Sequence, residues 1–212
     1  MNRGGGGHYH RRMLEEKKNA FVQTLQEERL IALVQGSPVF MDALRAVRSL
    51  GLASWCIGAG AVRNLVWDAL HAHPQPSALA DIDVCHFDAG DPEARRDAEL
   101  QGRLQALRPD LPWELTNQAA VHLWFESVFG HAVSPLRSLE EAVASWPEYA
   151  TAVGISLDAQ ERLHVIAPHG LDDLFGLVVR RNPVRVSVAT YRQRLAQKRY
   201  AERWPRVTIV PC

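Results

Sequence analysis

Two aspartates one residue apart, in Asp81-Ile82-Asp83-Val84, are the side chains of this sequence best placed to do chemistry. Extended backbone sends alternate side chains to opposite faces, so Asp81 and Asp83 share one face while Ile82 and Val84 point into a core. Carboxylates held side by side repel each other, and at the edge of a core they destabilise the fold unless a cation neutralises them. Mg²⁺, or the similar Mn²⁺, meets that need: it binds oxygen, keeps several waters, and takes one or two carboxylates together with substrate phosphates. Phosphate chemistry is what the pair suits, although such a pair also serves simply to start a strand or cap a loop.

Upstream, Gly58-Ala59-Gly60 closes a short apolar run and leads into Ala61-Val62-Arg63-Asn64. Glycine lets backbone approach a phosphate closely, and the free N–H groups of a first helical turn attract an anion, helped by the helix dipole. Gly58, Ala59 and Gly60 are therefore a candidate cradle for nucleotide phosphates, with Arg63 as a bidentate contact to them. The plainer reading is a tight turn whose Arg63 pairs with Asp68 one helical step on. No Gly-Lys-Ser/Thr follows, and the dinucleotide pattern of spaced glycines fails at Arg63.

Glu114 lies on an extended stretch after Pro112, where a neighbouring strand can carry it to the aspartate face; a solvent-facing edge glutamate is the alternative. Gln118 and His122 stand one helical step apart, either reaching a cleft or, for His122 beside Trp124, packed in a core. Asp172 and Asp173 fit a helix start as caps, the six tryptophans are most simply core, and Cys85 belongs on the Asp83 face as a small buried side chain. Between Arg180 and Arg206 nine basic residues stand against one acid, Glu202. That segment suits phosphates of RNA or of a nucleotide tail, or forms a solvated helix face.

The elements that must position these groups follow from periodicity and punctuation. Helical spacing runs over 14–35, stopped by Gly36, and over 37–51, where Ser37 is an N-cap followed by Pro38. Residues 52–57 read as a buried strand, 61–71 as helix and 81–87 as strand, with a proline-rich loop at 73–77. Helix follows at 93–107, an extended segment at 113–117 and helix at 119–129. Ser138-Leu139-Glu140-Glu141 has the form of a capping box, 154–157 and 162–167 form a hairpin, and a last helix spans 188–203. Helices and strands alternate, so the class is α/β or α+β, a mixed sheet flanked by helices. Residues 1–12, rich in glycine and holding His8 and His10, read as a mobile tail, and 13–212 as a single domain with a helical C-terminal part.

With 212 residues and 47% hydrophobic composition the chain can bury one substantial core. Its 24 basic and 24 acidic residues balance, so any polyanion site must be local. Cys56, Cys85 and Cys212 make neither a disulfide framework nor a metal spacing, which points to a reducing compartment, the cytoplasm. No apolar run reaches the roughly 20 residues of a membrane span, and no secretion signal opens the chain.

Taken in order, the motifs resemble a bacterial nucleotidyltransferase-like family of unknown substrate, long classed as a domain of unknown function. The resemblance rests on 58–68, Asp81-Ile82-Asp83-Val84, Pro112-Trp113-Glu114-Leu115-Thr116-Asn117-Gln118 with His122 and Trp124, Trp146-Pro147-Glu148, Gly170-Leu171-Asp172-Asp173 and Trp204-Pro205. More distantly, the first two motifs are similar to the head domains of tRNA CCA-adding enzymes and poly(A) polymerases, with Asn64 where that group has aspartate. The resemblance implies a polymerase-β-like nucleotidyltransferase fold and a metal-dependent transfer of a nucleoside monophosphate from a nucleoside triphosphate to a hydroxyl acceptor, RNA or a small molecule. It implies that Asp81, Asp83 and Glu114 hold Mg²⁺ or Mn²⁺ and act in catalysis, and that Gly58, Ala59, Gly60, Arg63 and Asn64 bind the nucleotide. A non-catalytic nucleotide- or RNA-binding module of the same fold, and a metal-dependent phosphodiesterase, are the competing readings.

Overall fold

The computed structural model describes residues 6–212, with side chains from Arg12 onward. Ser37, in extended backbone, accepts from the Phe40 N–H, and Pro38 opens α2 (Pro38–Arg48), as the Ser-Pro pair predicts. Before it, α1 (Gly6–Gln35) is a helix of 30 residues. Residues 6–12, expected as tail, are thus helical; extending a helix that is already nucleated costs little, even through poor helix formers. The rest of the expected tail, and the side chains of His8 and His10, lie outside the described residues.

Five strands form one mixed sheet: β1 (Trp55–Gly58), β2 (Ile82–His86), β3 (Trp113–Asn117), β4 (Gly154–Leu157) and β5 (Leu163–Ile166), in the order β3-β2-β1-β4-β5. β2 and β3 run parallel, joined by the crossover helix α4 (Asp97–Leu107), and the other neighbours are antiparallel, including the expected β4-β5 hairpin. Alternation along β1 and β2 sorts their side chains. Trp55, Ile57, Ile82 and Val84 join the main core with α2 and α3 (Ala59–Leu70). Cys56 and Cys85, opposite each other in register, join a smaller cluster with Leu139 and Val143 of α6 (Leu139–Ala144). Ser138 caps α6 by accepting from the Glu141 N–H at 3.1 Å. The helix that follows β3, α5 (Val121–Phe129), begins after one 3₁₀ turn at Gln118–Ala120.

The last third of the chain holds α7 (Asp172–Phe175), β6 (Val178–Val179), α8 (Val188–Lys198), α9 (Tyr200–Arg203) and β7 (Thr208–Ile209), which pairs in parallel with β6. The single helix expected over 188–203 is broken at Arg199, which adopts φ +49°. The break turns Tyr200 and Trp204 onto Trp67, with ring centroids 5.9 and 5.2 Å away. Burying two aromatic rings outweighs the ~1–2 kcal/mol cost of one left-handed residue. Asp172 and Asp173 do not cap α7, whose N-cap is Leu171. Asp172 instead accepts from Gln26 of α1 at 3.0 Å, and Asp173 pairs with Arg180 at 2.9 Å, so both tie elements together. Among the described residues no single helix is long and apolar enough to cross a membrane.

Candidate active site

The site is built where β1 hands over to α3. Gly58 is the N-cap of α3 and has no side chain to satisfy the N–H groups of the first turn. Its lack of a side chain serves packing: a Cβ there would lie 2.5 Å from Cζ3 of Trp146 and 2.9 Å from the Val153 carbonyl oxygen. Gly60 is open by contrast, since a Cβ there would meet only Arg63 Nη2 at 3.7 Å and Asp81 Oδ1 at 3.9 Å. The left-handed conformation falls on neither glycine but on Ala59, at φ +50°.

Asp81 immediately precedes β2, and Asp83 is the second residue of that strand. Glu114 stands beside Asp83 in direct register on parallel β3, as an adjacent strand was expected to place it. All three carboxylates open onto one cavity of about 450 Å³, together with Ala59, Gly60 and Arg63. Burial above all, then the neighbouring charges of Asp81 and Glu114, push the Asp83 carboxyl up to about 6, against the opposing pull of Lys198 and Arg194. Cys85 lies on the same face; burial raises its thiol well above the usual range, which keeps it neutral and unreactive. The excess of negative charge and the all-oxygen donor set fit a hard divalent cation. Among the described residues no three His, Cys, Asp or Glu side chains converge to hold an ion by themselves. The carboxylates make a partial shell, of the kind that Mg²⁺ completes with water and phosphate oxygens.

Arg63 is buried, and it does not pair with Asp68. Its guanidinium lies 5.1 Å from the Tyr200 ring, 5.2 Å from Trp204 and 5.7 Å from Trp67, and Nη2 donates to Asn64 Oδ1 at 2.7 Å. Burial lowers its pKa, and among the described residues its Nε has no acceptor. A buried donor left unpaired is costly, and this residue borders the cavity. Asp68 is occupied elsewhere, accepting from the Ser77 N–H and hydroxyl at 2.7 and 2.6 Å and from Trp204 Nε1 at 2.8 Å. Asn64 faces a second lobe of about 700 Å³ that shares Gly60, Arg63, Asp81 and Lys198 with the first. Gly58 lines neither lobe.

The opposite wall is α8, through Thr190, Gln193, Arg194, Gln197 and Lys198. Arg194 is fixed by two bonds to the buried Glu148, at 2.7 and 3.0 Å. Most of the basic segment is similarly engaged: Arg180 with Asp173, and Arg181 and Arg185 with the carbonyls of Val186 and Ser134. Arg199 pairs with Glu202, while Arg203 and Arg206 donate to the carbonyls of Ala78 and Leu70. Lys198 faces the carboxylates. Sequence reasoning missed two groups at the site: the polar face of α8, seen only as a basic stretch, and the pair Trp124 and Phe129, the first taken with the other tryptophans as core and the second not singled out. Both rings line the cavity while 41% and 42% exposed. The available signal was α5 itself, apolar nearly all round and so carrying more apolar surface than one core-facing stripe can bury. Gln118 reaches the cavity; His122 does not line it, and its Nδ1 is buried without a partner among the described residues.

A family model described as Nucleotidyltransferase matches residues 45–209. Among solved structures, an NMR structure said to reveal a CCA-adding enzyme head domain superposes with a TM-score of 0.73 at 29% identity, over 87% of this chain and 96% of that one. The apo form I of a tRNA-processing enzyme aligns at 20% identity and a TM-score of 0.47, over 80% of this chain but 42% of that longer one. No curated protein matches the chain. The matched residues run from the helix before β1 to the strand after α9 and take in the carboxylates, the turn at Gly60 and the α8 wall, so the chain belongs to a nucleotidyltransferase family and has its fold.

Proposed function

We propose that the protein transfers a nucleoside monophosphate from a nucleoside triphosphate to a hydroxyl-bearing acceptor, with Mg²⁺ or Mn²⁺ at Asp81 and Asp83 and Glu114 completing the site. The observation that carries this reading is the Asp83 carboxyl, pushed up to about 6 by burial and by Asp81 and Glu114, at the foot of a cavity that opens beside the uncapped start of α3. When bound, the divalent ion supplies positive charge to the phosphate oxygens and acidifies a hydroxyl close to it. The chain's own groups do the rest. The first turn of α3 and the open Gly60 hold the β and γ phosphates, and Lys198 and Arg63 offset their charge. Asn64 fixes the plane of Arg63 by accepting from its Nη2 at 2.7 Å. Glu114 takes the proton of the acceptor hydroxyl as that oxygen bonds to the α-phosphorus; the bond from the α-phosphorus to the leaving oxygen breaks, and pyrophosphate departs.

The test is release of pyrophosphate from each α-labelled nucleoside triphosphate in a cell extract, with transfer of the label to an acceptor. Wild type releases pyrophosphate only with divalent metal, and Asp81→Asn and Asp83→Asn each lower the rate at least ~100-fold while the fold is kept. Binding of nucleotide without pyrophosphate release under any of these conditions identifies the chain instead as a binding module.

A further inference from the structure

The cleft has two lobes that share Gly60, Arg63, Asp81, Gln197 and Lys198 and differ in the rest of their lining. At one end its wall is mainly basic, with Arg63, Lys198, Arg199 and Arg203 against Asp81 and Glu202 around the larger lobe, which has no aromatic side chain. Towards α5 it is aromatic, with Trp124, Phe125, Phe129 and Trp146 lining the lobe that also holds Asp83 and Glu114. The aromatic end is a fixed ledge. Phe125 is buried, its ring centroid 4.5 Å from that of Phe129 and 6.3 Å from that of Trp124, and the Arg185 guanidinium lies over it at 5.5 Å. That anchoring presents Trp124 and Phe129 to the cavity, each with about two fifths of its surface in water. Exposed aromatic faces grouped beside polar groups mark a ligand-binding surface, and a flat ring stacked on them removes that surface from water.

Resting on the transfer reading above, we propose that the acceptor is a small molecule with a flat ring system and a hydroxyl group, whose ring lies on Trp124 and Phe129 and whose hydroxyl meets Glu114. The triphosphate then occupies the basic lobe and the acceptor the aromatic one, with Asp81 between them. Three features favour a small acceptor over a polynucleotide. The aromatic lobe, at about 450 Å³, has the size of a small-ligand pocket. RNA needs a track of cations for successive phosphates, whereas the two cations that line this lobe alone are already held, Arg185 by the Ser134 carbonyl and Arg194 by the buried Glu148. Over the whole chain the 24 basic residues are balanced by 24 acidic ones, so no overall surplus of positive charge draws a polyanion in.

The experiment measures pyrophosphate release by the full chain from the four nucleoside triphosphates with Mg²⁺, in the presence of adenosine, of phenyl β-glucoside, or of a single-stranded RNA dodecamer. In parallel, indole N–H signals of ¹⁵N-labelled protein are followed by NMR, with Trp124→Phe identifying the Trp124 signal. The ring-bearing alcohols are expected to move that signal and to raise pyrophosphate release. Phe129→Ala weakens both effects roughly tenfold, and Trp124→Ala weakens the stimulation of release by a similar factor. The dodecamer raises release no more than adenosine does. Release stimulated by the dodecamer alone, with the Trp124 signal unmoved by either ring compound, overturns this inference and leaves the transfer reading standing. Absence of pyrophosphate release under every condition overturns the transfer reading itself, and the proposed acceptor with it.

Discussion

Gly58 and Gly60 flank a single alanine, yet only Gly58 is confined by its neighbours. Gly58→Ala drives a methyl group into the Trp146 ring and the Val153 carbonyl, so thermal denaturation should show a loss of about 1–3 kcal/mol. Gly60→Ala meets nothing closer than 3.7 Å, so it leaves stability unchanged or slightly raised and shows instead as a higher KM for the nucleoside triphosphate. That difference was not legible in the sequence. The motif reads as two interchangeable glycines, and the ring that distinguishes them comes from Trp146, far along the chain. Asp81, Asp83 and Glu114 were legible, because a period of two is a local property and a single neighbouring strand sufficed to bring in the third carboxylate. Asp83 also carries a pH signature. Its pKa in the folded chain, about 6, lies above that of an unfolded aspartate near 4, so the folded state binds more protons between those values and stability falls as pH rises through that window. In metal-free buffer Asp83→Asn should therefore be more stable than wild type at pH 7.5, by on the order of 2 kcal/mol, with the difference gone below pH 4. A difference that grows as the pH falls contradicts the electrostatic account.

At the scale of elements, the α8 wall is anchored by the buried Tyr191 and by an ion pair between Arg194 and a buried carboxylate. Glu148, 1% exposed, accepts from Arg194 and from the Thr151 hydroxyl, and it follows Trp146 and Pro147 in the motif that had no evident chemistry in the sequence. Removing one partner strands the other charge, so Arg194→Leu should cost about 3–5 kcal/mol, whereas the double replacement Glu148→Leu with Arg194→Leu should recover much of that loss. Chemical denaturation of the two single variants and the double variant gives the coupling directly; additive losses would remove the pair from the account. Strand and helix positions along 52–129 were largely legible, since each element carries its own period and its own stop. The break between α8 and α9 was not, because Arg199 enters the left-handed region only to let Tyr200 and Trp204 reach Trp67, a contact the local sequence does not encode.

Across the whole molecule, residues far apart in the chain meet at the site. Trp204 closes the aromatic box around Arg63 and donates to Asp68, so the residue that borders both lobes of the cleft depends on the far end of the chain for its position. The sequence alone placed Trp204 in a motif without a partner; its purpose is tertiary. The same arrangement sets α8, with Lys198, against the carboxylates of β2 and β3, so that one cation and one triphosphate can be held between walls contributed by distant parts of the chain. The most direct test of that arrangement is an electron paramagnetic resonance titration of Mn²⁺, with and without a non-hydrolysable nucleoside triphosphate analogue. The account predicts that the analogue tightens Mn²⁺ binding to wild type and that Asp83→Asn abolishes the effect while remaining folded. Equal tightening in wild type and Asp83→Asn would place the metal elsewhere and contradict the account.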